Sequence, residues 1–253
     1  MATGWAEVYC RQLALTVELL WHRELPILAS APAFAAAETV VDLGAGDGTF
    51  GRRLAATFPD KRFLGVEPDA AIHAAGARSA CPPNYRYMHA GYESVTGTYD
   101  LLLARLVVMY LRDRDALYAW ARAHVRAAIV ANYEDSASAT EPPLPLVTAA
   151  IEHGTRSRAD ELATTYAGDR DLAGMPAEWA AAGFLPSGSA IVVADVSDAD
   201  DRRVFHHIQR LSVAGINPEA ISRSLLDELY AWSVDPSARA SIGLSYHSLL
   251  NPL

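Results

Sequence analysis

Gly44, Ala45, Gly46 and Gly48, inside the run VVDLGAGDGTF over residues 40–50, build a turn with almost no side-chain bulk. Glycine lacks Cβ, so it reaches backbone angles closed to other residues and lets a ligand lie against the main chain. Glu67 stands 19 residues beyond Gly48, at the end of the apolar run FLGVE. A carboxylate at that place can accept hydrogen bonds from ribose hydroxyls. Asn132 and Tyr133, followed by Glu134 and Asp135, cluster polar groups after a second apolar run, residues 127–131. The chemistry these residues point to is binding of a ribose-bearing ligand on a glycine turn, with polar and aromatic groups beside it.

The elements that position them follow from local patterning. Thr39, Val40 and Val41 are β-branched and open a short buried strand before the turn. Phe50, Leu54 and Phe58 recur at helical spacing after it, and Pro59 stops that helix. A strand, a glycine turn and a helix form the first unit of a doubly wound sheet, in which ligands sit at the carboxyl ends of the strands. Further strands are expected at residues 63–67, 85–89, within 99–111, and at 127–131, 190–196 and 241–250. Asp69 is a plausible N-cap, and residues 115–125 read as a helix. Residues 4–29 carry Ala6, Tyr9, Cys10, Leu13, Val17 and Leu20 as an apolar stripe, in one helix or two, with Pro26 at a kink or a second start. Residues 136–145 read as a loop, 146–168 as a helical insertion, and 199–234 as two helices split near Gly215 and Pro218.

The run Asp42-Leu43-Gly44-Ala45-Gly46-Asp47-Gly48 resembles the first motif of the class I S-adenosylmethionine (SAM) dependent methyltransferases, in its looser form LDLGxGxG. Residues 99–111 are similar to that family's fourth strand and its exit, and Ala182-Gly183-Phe184 to the end of its last crossover helix. The resemblance implies an α/β, doubly wound, mostly parallel seven-stranded sheet with an antiparallel last strand. It implies a single domain over residues 1–253, with an N-terminal helical lid at 1–36 and helical cap insertions at 140–175 and 197–236. It also implies SAM as cofactor, held by Tyr9, Asp42, Gly44, Ala45, Gly46, Glu67 and Pro68. The adenine falls to Gly91, Tyr92 and Glu93, and the methionine end to Ala104, Arg105 and Leu106. Gly91 stands where the family often carries an acid, so Tyr92, Glu93 or a backbone amide would take over that contact. Tyr110, Asn132 and Tyr133 are the candidate catalytic residues.

Composition narrows the class. The 253 residues are 51% apolar, enough for a sizeable core, and the net charge of −9 without a basic run disfavours nucleic acid as a partner. Cys10 and Cys81 have neither disulfide-framework nor zinc spacing, and no His or carboxylate cluster has metal-site spacing. No basic n-region precedes an apolar stretch, and no run of about 18 apolar residues exists, so a cytoplasmic protein without a membrane span is expected. A homodimer is left open.

The expected activity is methyl transfer from SAM to a small-molecule acceptor, in specialised metabolism. One alternative makes SAM itself the substrate, cyclised to azetidine-2-carboxylate with release of methylthioadenosine. A second is SAM binding without turnover. A third, an NAD-dependent oxidoreductase, is disfavoured because Thr49 occupies the third-glycine position of G-x-G-x-x-G and no Tyr-Lys hydride-transfer pair is recognisable.

Overall fold

Five strands lie side by side in parallel: β1 (Thr39–Leu43), β2 (Arg62–Glu67), β3 (Tyr85–His89), β4 (Tyr99–Arg105) and β5 (Val125–Tyr133). The computed structural model describes residues 3–111, 113–157 and 174–252. Their spatial order is β3-β2-β1-β4-β5, so the chain reverses its direction of travel between β1 and β4. A ligand crevice opens at such a reversal, outside the carboxyl ends of the strands.

The sheet then continues through β8 (Arg239–Leu250), antiparallel to β5. β7 (Leu185–Val196) pairs along the far edge of β8. β6 (Ala139–Glu141) continues the line of β5 along the near edge, where Ala139 meets Ser241. The sheet therefore has eight strands, not seven. The extra one falls in residues 136–145, expected to be a loop; its three residues carry no strand pattern of their own and are recruited by the near edge of the start of β8, which β5 leaves open.

Alternate residues of each strand feed opposite faces. Val40, Leu101, Leu103 and Ile129 pack with α1 (Thr3–Ser30), α2 (Pro32–Ala36) and α3 (Thr49–Thr57). Val41, Leu102, Ala104 and Val130 pack with α5 (Arg114–His124) and α7 (Met175–Ala181), the latter through the fully buried Trp179. Each fully buried leucine of β4 contributes about 1.5–3 kcal/mol relative to exposure. α4 (Ala70–Gly76) follows β2 and is capped by Asp69, whose carboxylate accepts the Ala71 and Ile72 amides at 2.8 and 2.9 Å.

α1 runs unbroken for 28 residues through Pro26, because Leu20, Trp21 and Leu28 anchor it on the sheet on both sides of the proline. A third apolar cluster joins Leu19 of α1 to α6 (Pro145–Ser157), α8 (Ala199–Ile216) and α9 (Arg223–Val234). The expected insertion at 146–168 is helical as far as Ser157; its remainder lies outside the described residues. Among the described residues, no helix is long and apolar enough to cross a membrane.

Candidate active site

The glycine turn takes the shape that its composition requires. Gly44, Gly46 and Gly48 have φ of 59°, 57° and 75°, the left-handed region where a side chain is strained. At Gly44 and Gly46 close packing adds a second reason. A Cβ on Gly44 would stand 2.3 Å from Val107 Cγ2, and one on Gly46 2.6 Å from Leu13 Cδ1. The turn is braced from below by Arg52 of α3, which donates to the carbonyls of Asp47 and Gly76 at 2.6 Å each. The Tyr87 hydroxyl donates to the Gly46 carbonyl.

Glu67 ties β2 to this turn. Its Oε2 accepts the Gly46 amide and its Oε1 the Asp69 amide, both at 2.9 Å. Each carboxylate oxygen keeps a further lone pair for a ligand. Asp42, at the end of β1, is buried, and its Oδ2 has no hydrogen-bond partner among the described residues. α1 lies across the opening, and together they enclose a cavity of about 230 Å³. Two larger, more open hollows beside the start of α1 and the end of α8 touch none of the turn residues.

Of the residues singled out from sequence, Tyr9, Asp42, Gly44, Ala45, Gly46, Glu67, Pro68, Arg105, Leu106, Tyr110 and Tyr133 all line this cavity. Five others do not. Asn132 points to the opposite sheet face from Tyr133, where its Nδ2 donates to Met175 Sδ at 3.1 Å. The reason is the strand's two-residue period: adjacent residues of β5 cannot share a face. Ala104 is turned away from the α1 side for the same reason, into the core behind β4. Tyr92 packs edge-on against Trp120 at 5.8 Å, Glu93 is exposed, and Gly91 precedes them in a turn outside the cavity.

Sequence reasoning missed Gln12, Thr16, Asp47, Phe50, Asp69 and Val107, which also line the cavity. The signal for the first two was present: they lie three and seven residues after Tyr9, along one side of α1.

Arg105 ends β4 and meets Glu24 of α1 in a bidentate pair, Nε to Oε1 at 2.7 Å and Nη2 to Oε2 at 2.8 Å. Glu24 is fully buried and also accepts a hydrogen bond from the Tyr246 hydroxyl of β8. The guanidinium lies over the Phe50 ring at 4.6 Å. Burial alone would lower the Arg105 pKa, but the Glu24 carboxylate more than offsets it and holds the group charged.

Burial pushes the Asp42 carboxyl up to about 7, with Arg105 opposing and Glu67 adding to the rise. Burial likewise lifts Glu67 to about 7, against the pull of the Asp69 and Gly46 amides. Above about pH 4 the unfolded chain has released protons that the folded chain still holds, up to about pH 7. The stability these two groups contribute is therefore full below about pH 4 and lost as pH rises through 7. The ligand-free protein is expected to melt at lower temperature at pH 8 than at pH 6, with Asp42→Asn flattening that slope. An unchanged slope in the variant would remove Asp42 from this account.

The comparisons with known proteins agree with this geometry. No protein-family model matches the chain. Over 88 residues it is 36% identical to the trans-aconitate 2-methyltransferase of Deinococcus radiodurans, a match that covers 34% of this chain and 33% of that protein. The aligned part thus spans about a third of the relative's length. Among solved structures, the cyclopropane synthase MmaA2 of Mycobacterium tuberculosis superimposes with a TM-score of 0.53 at 14% identity, covering 84% of this chain and 78% of that one. The Haemonchus contortus phosphoethanolamine N-methyltransferase 2, solved with S-adenosyl-L-methionine, gives 0.55 at 13% identity, covering 96% and 57%. The fold is that of the class I, Rossmann-like SAM-dependent methyltransferases.

Proposed function

We propose that the chain is a SAM-dependent methyltransferase acting on a small-molecule acceptor, in specialised metabolism. The observation that carries this reading is the glycine turn clasped by Glu67 beneath α1 at the sheet's reversal point. The partial match to a methyltransferase supports it.

When bound, SAM supplies an electrophilic methyl group on a sulfonium centre. The residues present fit such a molecule. Glu67 keeps acceptor lone pairs for the ribose hydroxyls, and the turn admits a ligand where a Cβ would intrude. Asp42, which lines the cavity, suits the amino end of a methionyl group. Tyr9, Tyr110 and Tyr133 bring aromatic rings to the cavity; a ring face attracts a cation by about 0.5–2 kcal/mol. α1 lines the cavity with Tyr9, Gln12 and Thr16, so we assign residues 1–36 to the lid, with 1 and 2 outside the described residues. We assign residues 140–175 and 197–236 to the cap that shapes the acceptor end, with 158–173 of it outside the described residues.

A second reading keeps SAM but makes it the substrate, cyclised with release of methylthioadenosine. Tyr9, Tyr110 and Tyr133 suit it as well, since a ring face attracts the sulfonium cation whether its methyl group or its four-carbon arm is then consumed.

Mass spectrometry separates the two. The protein is incubated with SAM alone, and with SAM plus a panel of small acceptors. The expected result is S-adenosylhomocysteine together with an acceptor one methylene heavier. Methylthioadenosine and a cyclised four-carbon amino acid, formed without acceptor, would replace methyl transfer by the second reading.

A further inference from the structure

We infer that the cavity rejects anionic acceptors, and that Glu24, which stands outside the cavity lining, sets this selectivity. The inference rests on the methyltransferase reading above. Its basis is the charge around the cavity. Asp42, Asp47, Glu67 and Asp69 line it, and among the described residues Arg105 is the one lining cation. Glu24 neutralises that cation through both carboxylate oxygens, and the Tyr246 hydroxyl holds Glu24 in place.

An anion entering a site of low dielectric needs a charged or strongly donating partner. At pH 8, above the value of about 7 to which burial lifts Asp42 and Glu67, it would meet four carboxylate side chains and a guanidinium already paired. A bound cofactor's own α-carboxylate would compete for the N–H groups that Arg105 retains. A neutral or cationic acceptor meets no such barrier, and Tyr9, Phe50, Tyr110 and Tyr133 offer it aromatic surface. Glu24 reaches Arg105 from 81 residues away in sequence, through the lid helix, so the lid both covers the site and sets the charge it accepts. In the role proposed here, Glu24 touches neither cofactor nor acceptor and acts only through Arg105; it is a positioning residue.

The test, at pH 8, uses protein loaded with S-adenosylhomocysteine and two probes, trans-aconitate and its neutral trimethyl ester, with binding followed by calorimetry. Wild-type protein is expected to show no saturable uptake of the trianion. Glu24→Gln keeps the side chain's size and an acceptor oxygen for Arg105 but frees its positive charge. It is expected to bind trans-aconitate saturably, at least tenfold more tightly than the weakest binding the measurement detects. Tyr246→Phe removes a hydrogen bond from the same network but keeps the Glu24 charge, so a general loosening of the fold would appear there too; it is expected to gain no anion affinity.

Saturable trans-aconitate binding by wild type overturns the inference, as does a Glu24→Gln protein with unchanged anion affinity. If Glu24→Gln does not fold, the wild-type comparison decides alone: preference for the ester supports the inference and preference for the trianion overturns it. Failure of wild type to bind S-adenosylhomocysteine would instead sink the cofactor reading, and that is measured separately in the loading step.

Discussion

Replacing Glu24 by alanine is expected to lower the unfolding free energy by roughly 3–5 kcal/mol, because it strands a buried guanidinium without its partner. For a domain of this size about 2–4 °C of melting temperature accompanies each kcal/mol, so the shift is on the order of 10 °C. The pair has the features that make such a loss large: two short bonds of 2.7 and 2.8 Å, and side chains with 7% and 0% exposure. A surface pair such as Arg223–Asp227 at 3.0 Å, with 90% and 63% exposure, should change stability by less than about 1 kcal/mol when broken.

The two explanations of a large loss, an unpaired charge or a missing side chain, are separable. Glu24→Leu, Arg105→Met and Tyr246→Phe together remove every polar group of the network while keeping its volume. That triple variant is expected to melt near the wild type, since apolar replacements of a buried ion pair are often neutral or stabilising. If the triple variant is as unstable as Glu24→Ala, packing and not charge holds α1 on the sheet.

Gly44→Val is the second variant with a large expected effect, this time on binding. The backbone at Gly44 has φ of 59°, which a β-branched residue adopts only under strain of about 1–3 kcal/mol. Its Cβ would also stand 2.3 Å from Val107 Cγ2, so either Val107 or the turn must move. Movement of the turn pulls the Gly46 amide away from Glu67 and disturbs the surface on which the cofactor would lie. Affinity for S-adenosylhomocysteine is expected to fall at least 100-fold, measured by calorimetry on protein whose circular dichroism is native. Retained affinity in a folded variant would move the ligand away from the turn.

Much of the fold was legible in the chain because it depends on short-range constraints. The positions of β1, α3 and β2 follow from β-branched runs, one helical stripe, Pro59 and three glycines that all adopt positive φ. Glu67 could be picked out because its distance from the turn is set by one helix and one strand. The limits of local reading show at β6, a three-residue strand with no pattern of its own, and at β7, which begins five residues before the expected Ala190. Both are lengthened or recruited by β8, whose full 12 residues offer pairing groups on two edges.

At the cavity the division is sharper. Asn132 and Tyr133 looked equivalent as neighbours in a polar cluster, and the pleat of β5 sends them to opposite faces. Arg105 was visible as a residue at the end of β4, but nothing near it in the chain announced Glu24 or Tyr246. By itself, then, the sequence determined the strand–turn–helix that shapes the glycine cradle and the acid beside it, since those rest on backbone angles and on spacing within one βαβ unit. Only the tertiary structure decided which side chains face one another across the cavity and what net charge they present. Those are set where α1, β4 and β8 pack together, and burial there makes each charge dependent on a partner far away in the chain.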